Sequence, residues 1–130
     1  MQHPPQQPQA EFQQWQQATL IHNTSGYGNA SIIPPEIRGW NWGAFLLSWI
    51  WGIGNNTWIT LIILMPIGIM QLVLPFVLGA KGNEWAWQNK KWDSIEHFKR
   101  TQKLWKYWGF LVLGLFIIIL VLLLVLLVIQ

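Results

Sequence analysis

Asp93 and His97 stand four residues apart in "DSIEH" (93–97). On one helix face, that spacing lets two side chains share a metal ion. A metal site needs further ligands, and none is spaced to join this pair. The other two histidines, His3 and His22, lie in the N-terminal tail. The expectation is a surface cluster of charge and hydrogen bonds, with no metal and no cofactor. No paired carboxylates sit in a recognisable cleft, and no Ser/His/Asp arrangement is evident. "GYGNAS" (26–31) lacks the glycine spacing and the following basic residue of a phosphate-cradling loop. The chain is therefore not expected to be an enzyme, and no catalytic residue is assigned.

The other concentration of reactive side chains is "KGNEWAWQNKKWDSIEHFKRTQKLWKYW" (81–108). It holds seven of the eight Lys and Arg residues and five of the eleven Trp. Indoles favour the headgroup zone of a bilayer, where an apolar body and a polar N–H are both satisfied. Basic side chains are drawn to anionic lipid by about 1 kcal/mol each. A basic amphipathic helix with Trp on its apolar face reads as interfacial. Lys90, Lys91, Lys99, Arg100, Lys103 and Lys106 are the expected contacts to anionic headgroups or to an acidic partner. Trp40, Trp42, Trp58, Trp85, Trp92, Trp105 and Trp108 are the expected interfacial anchors. Basic residues interleaved with Trp also suit nucleic acid. Three acidic residues (Glu84, Asp93, Glu96) dilute the charge, and no nucleic-acid motif appears, so that partner is disfavoured.

The elements that carry these residues follow from hydropathy. Charged residues make up 10% of the 130-residue chain, against about a quarter in soluble proteins. Residues 110–129 form twenty consecutive positions without a charge or polar side chain. That suffices to cross a core of about 30 Å as a helix, so residues 108–129 are expected to span. Residues 40–78 are also uncharged, too long for one span and barely enough for two. "GIGNNT" (52–57) has turn chemistry and divides them. Residues 58–78 are expected as a second span, kinked by Pro66 and Pro75, with Gln71 satisfying a freed carbonyl or a neighbouring helix. Residues 40–51 are too short to span and are expected as a Trp-rich helix that lies in the interface or dips in and returns.

Asn83 is a plausible cap for an amphipathic connector helix over residues 84–106. Placed at 100° per residue, Trp85, Trp87, Trp92, Ile95, Phe98 and Trp105 share one arc of it. Residues 1–38 begin with eight Gln and three Pro in the first seventeen positions. They are expected as a disordered Gln/Pro-rich tail before a helical membrane domain at 39–130. Met1 is not followed by the basic and apolar regions of a signal peptide. With no Cys, disulfides are excluded. The Lys-rich connector is expected in the cytoplasm. Two spans would leave the tail outside, three would bring it inside, and Arg38 favours inside. The fold class is thus an all-α membrane protein with two transmembrane helices, a re-entrant or interfacial helix and a cytoplasmic connector.

"GWNWGAFLLSWIWGIGNNTWITLI" (39–63) resembles a family of small multi-helix bacterial membrane proteins without an assigned activity. Their common feature is an Asn-Trp-(Gly/Ala)-Ala-Phe helix start and a Trp opening the next segment. Here these are Asn41, Trp42, Gly43, Ala44, Phe45 and Trp58. "GNEWAWQNKKWDSIEHFKRTQKLW" (82–105) is similar to the basic connector of some relatives, so the likeness covers about residues 36–110. It implies a multi-pass protein of a bacterial cytoplasmic or internal membrane. Some relatives carry a ribonuclease label, but the acidic metal cluster such an enzyme needs has no counterpart here. Three functions are weighed. The first is a non-enzymatic membrane adaptor or accessory subunit that binds anionic lipid or another membrane protein. The second is a small transporter or channel component built on Pro66, Gln71 and Pro75. The third is a membrane-tethered RNA-binding or ribonuclease-like protein. The "GWNWG" glycines, Gly39 and Gly43, allow close helix contact, so a homo-oligomer is possible.

Overall fold

A computed structural model describes residues 9–14, 17 and 23–130, and fifteen residues of the Gln/Pro-rich tail expected at 1–38 lie outside them. Every regular element among the described residues is helical. Three α-helices carry the fold: α1 (Trp42–Gly54), α2 (Gly68–Asn89) and α3 (Ile95–Ile129). A 3-10 helix, Trp58–Leu64, joins α1 to α2.

Asn41 starts α1 by accepting the Ala44 amide on its side-chain oxygen at 2.8 Å, which satisfies one of the orphan donors at a helix N-terminus. The helix does not run straight. At Ser48 the backbone turns to φ 40° and ψ −103°, a left-handed conformation that reverses the chain. Both ends of α1 therefore return to one place: Gly43 and Gly54 each abut Trp105 of α3. The sequence-expected short helix at 40–51 is thus a tight helical hairpin over 42–54.

The expected single helix at 58–78 does not form. Residues 58–64 are 3-10, Met65 is extended at φ −70° and ψ 141°, and α2 begins only at Gly68. Pro66 is the cause, because it lacks an amide donor and forces its predecessor out of the helical region. Pro75 is absorbed inside α2. The result is a second hairpin. Gln71 Nε2 lies 3.5 Å from the Ile63 carbonyl, across its two arms. At its other end Asn89 Nδ2 donates to Thr57 Oγ1 at 3.4 Å.

The expected connector helix at 84–106 is also interrupted. α2 ends at Asn89 and Lys90 is extended. Ser94 then caps α3, its Oγ accepting the His97 amide at 3.0 Å, with Glu96 in the first turn favouring the helix dipole. From Ile95 the helix continues without a break to Ile129, so the expected span at 108–129 is the distal part of a 35-residue helix. Among the described residues that is the one helix long and apolar enough to cross a membrane, and its most apolar stretch is 0% buried in the chain's own fold.

α2 and α3 run antiparallel with α1 between them. Trp87 packs on Phe98 (5.6 Å between ring centroids), Phe45 on Phe76 (5.2 Å) and Trp42 on Phe110 (5.7 Å). Residues 23–38, placed with the tail by composition, pack onto this unit. Trp92 N donates to Ser25 Oγ at 2.8 Å, and its carbonyl accepts from Asn23 Nδ2. Gly26 N donates to the Trp87 carbonyl at 2.8 Å. Ile37 is in the core with Trp51, Leu78, Trp87, Trp92 and Phe98.

Gly43 lets α1 lie against α3: a Cβ there would sit 2.7 Å from Trp105 Cβ and 2.8 Å from its backbone carbon. Gly114 faces open space, with nothing within 4 Å of a Cβ. Gly43→Ala is expected to cost about 1–3 kcal/mol by overpacking, while Gly114→Ala leaves stability unchanged or slightly raised. Thermal unfolding of the two variants in mild detergent checks this. Equal midpoints would contradict the close approach of α1 and α3.

Candidate functional site

The polar centre of the fold is built from side-chain amides. Gln102 Oε1 accepts from Asn41 Nδ2 at 2.9 Å and from Trp51 Nε1 at 2.8 Å. Gln102 Nε2 donates to Asn55 Oδ1 at 2.8 Å, and Asn55 Nδ2 donates to the Trp51 carbonyl at 2.8 Å. Asn41 Nδ2 also donates to Asn83 Oδ1 at 2.7 Å, and its backbone amide donates to the Gly79 carbonyl at 2.8 Å. One glutamine on α3 thus joins both ends of the α1 hairpin, and Asn41 joins them to α2. Asn41, Asn55 and Gln102 are all buried, so each bond spares a desolvation cost of about 1–3 kcal/mol.

At the edge of this cluster a cleft of about 290 Å³ opens to solvent. Asn41, Asn83 and Gln102 floor it, and Trp40 and Trp42 form one wall. The opposite wall is a stripe of α3 that carries Lys99, Lys103 and Lys106. Their i, i+4, i+7 spacing puts all three on one helix face. Among the described residues, no acidic side chain lines it. Tyr107 sits just beyond and draws Lys106 and Lys103 toward its ring, at 5.6 and 6.0 Å. The cleft therefore brings positive charge, indole and side-chain amides together, immediately before the apolar run of α3. These groups suit an anion with an apolar neighbour.

The six expected basic contacts divide. Lys99, Lys103 and Lys106 meet at the cleft. Arg100 is exposed on α3, one position along from Lys99. Lys90 and Lys91 are turned elsewhere. Lys90 Nζ donates to the Gly54 carbonyl at 3.0 Å, at the C-terminus of α1, and Lys91 Nζ donates to the Asn23 carbonyl at 3.0 Å. Both also lie over aromatic rings, Trp92 at 5.0 Å and Tyr27 at 5.3 Å. They clamp loops of the fold.

The expected Trp anchors divide as well. Trp40, Trp42, Trp58 and Trp108 are exposed, whereas Trp85 and Trp105 are half-buried. Trp92 is only 1% exposed. Its indole donates to the Ala86 carbonyl at 2.9 Å and packs on Phe98 at 4.9 Å, so it is a core residue. Asn83, expected to cap a helix, lies inside α2. Asp93 Oδ2 lies 3.2 Å from His97 Nδ1, off the direction a hydrogen bond needs. Among the described residues no three His, Asp or Glu side chains gather as a metal site. The amide cluster itself was not expected. Its signal was Gln102 standing in the helical stripe Ile95, Phe98, Trp105, Gly109.

No family model, curated protein or solved structure matches this chain.

Gln102→Leu would leave the Asn41 and Trp51 donors and the Asn55 acceptor unpaired in the core. The expected loss is about 2–4 kcal/mol. Thermal unfolding followed by Trp fluorescence measures it. A midpoint equal to that of the unsubstituted protein would contradict the central role given to Gln102.

Proposed function

We propose that the chain is a non-enzymatic membrane protein that binds anionic lipid headgroups in the Lys99/Lys103/Lys106 cleft. The observation that carries this reading is the place of the cleft. It opens at the point where α3 changes from charged to wholly apolar. Residues 107–129 would rise about 34 Å, enough for one crossing of a core of about 30 Å. Lys106, Tyr107 and Trp108 would then lie at headgroup depth, where Lys and indole are both stabilised.

The two hairpins fit this placement as insertions from the same side. Neither is long enough to cross. Residues 68–79 of α2 rise about 16 Å, and the 3-10 arm Trp58–Leu64 extends about 14 Å. Leu46, near the turn of α1, reaches only the level of Gly109. In this reading α3 alone crosses, and the loops at 39–41 and 55–57, the C-terminal half of α2 from Gly79 and the connection to α3 share one face with the lysines. The excess of Lys on that face favours the cytoplasm, and residues 23–38 go with it. The Asn-Trp-Gly-Ala-Phe start, the basis of the family resemblance, supplies Asn41 and Trp42 to the cleft. A transporter role draws no support from Gln71, whose amide is directed at the other arm of its own hairpin.

Neutralising three lysines at about 1 kcal/mol each weakens binding by roughly a hundredfold. The full chain carrying Lys99→Gln, Lys103→Gln and Lys106→Gln, purified in mild detergent, is expected to lose co-purifying phosphatidylglycerol. Lys90→Gln with Lys91→Gln is expected to retain it. Lipid extraction and quantification checks both. Full retention by the triple variant, or equal loss from the Lys90/Lys91 pair, would contradict the cleft as the binding site.

A further inference from the structure

We propose that this chain is a one-sided wedge, which concentrates where the leaflet on its lysine-bearing side is convex. The inference rests on the placement above, with α3 crossing and the hairpins inserted from one face. It follows from how the cross-section changes along α3. At the level of Trp105 and Lys106, both ends of the α1 hairpin lie against α3 through Gly43 and Gly54. α2 is at the same level, since the Asn41 amide is bonded to the Gly79 carbonyl. The 3-10 arm starts there too, through Thr57 next to Asn55. Near Gly109, α1 is already close to its turn, with Leu46 against that glycine. About 16 Å below Gly79, only the turn at Met65–Ile67 accompanies α3. Beyond it α3 continues alone, with residues 118–129 exposed on all sides.

A helix about 10 Å across occupies about 80 Å², so four extra segments add roughly 300 Å² to one half of the bilayer and none to the other. No charge occurs from residue 39 to residue 80. Ile50, Met65, Ile67, Leu72 and Phe76 are exposed around the hairpins. The occupant of those faces is the acyl-chain layer of a single leaflet. Area added to one leaflet is accommodated best where that leaflet is already expanded, the basis of curvature sensitivity in interfacial helices.

Fluorescently tagged full-length protein, reconstituted in giant vesicles with membrane tubes drawn from them, provides the test. Severalfold enrichment on the tube is expected when the lysine side faces outward, and depletion when it faces the lumen. Equal density in both orientations would overturn the wedge. Because the chain has no Cys, a Met65→Cys variant reports hairpin depth independently. Its thiol is expected to resist membrane-impermeant reagents from both sides, and a fluorophore there to be quenched by mid-chain spin-labelled lipid. A buried Met65 site with equal tube density would sink the wedge and leave the placement standing. Labelling from the face opposite the lysines would sink the placement and the wedge together.

Discussion

One buried side chain holds the fold to its shape. Gln102 accepts from two donors, the side-chain amide of Asn41 at the start of α1 and the Trp51 indole within it, and gives one hydrogen to Asn55. Asn41 and Asn55 flank α1 at its two ends. A straight helix of thirteen residues would hold its ends about 20 Å apart. Bringing both to one glutamine therefore requires the reversal at Ser48, and the positive φ there is the local cost of that arrangement. A buried amide is costly when unpaired and orienting when paired. That asymmetry makes the cluster a specifier of geometry as well as a source of stability.

From this constraint the second hairpin follows. Once Asn55 is held beside α3, Thr57 must start the 3-10 arm on the same face, with Thr60 pressed into the space left by Gly52. The chain then reaches Pro66, turns, and returns through α2 to Asn83, which bonds Asn41. The apolar residues 40–78 become two helical hairpins that begin and end at one level. The cleft is a consequence of the same convergence. Its floor is the rim of the amide cluster, and its lysines flank Gln102 on α3.

Much of this was legible in the residues. The long apolar run, the break at 52–57, the shortness of the first helix and the clustering of Lys with Trp all appear in hydropathy and charge. Three features were hidden, for separate reasons. Pro66 reads as a kink inside a span, because periodicity does not say whether a helix resumes on the same axis. Lys90 and Trp92 fit an amphipathic arc if the helix continues, and the Ser94 cap that starts a new helix instead competes with that pattern over only a few residues. Residues 23–38 look too polar to fold, yet Ser25 and Asn23 are bonded to Trp92. Long-range pairing of that kind leaves no local signature. Gln102 was visible as a polar residue in an apolar stripe, but its partners come from three distant segments.

The basic residues show how one composition serves two ends. Lys90 and Lys91 hold carbonyls at Gly54 and Asn23, and so tie the loops of the folded unit. Lys99, Lys103 and Lys106 are left to line an open cleft beside exposed indoles. The proposed lipid site and the proposed single crossing both depend on the turn at 55–57 lying on the lysine side. The most direct measurement is the sidedness of Asn56, exposed in that turn. An Asn56→Cys variant in sealed vesicles should react with a membrane-impermeant maleimide from the same face as a Lys91→Cys variant, and from the face opposite a cysteine at Gln130. Reaction of the Asn56 site from the Gln130 face would mean that α1 crosses the bilayer, and would contradict the account.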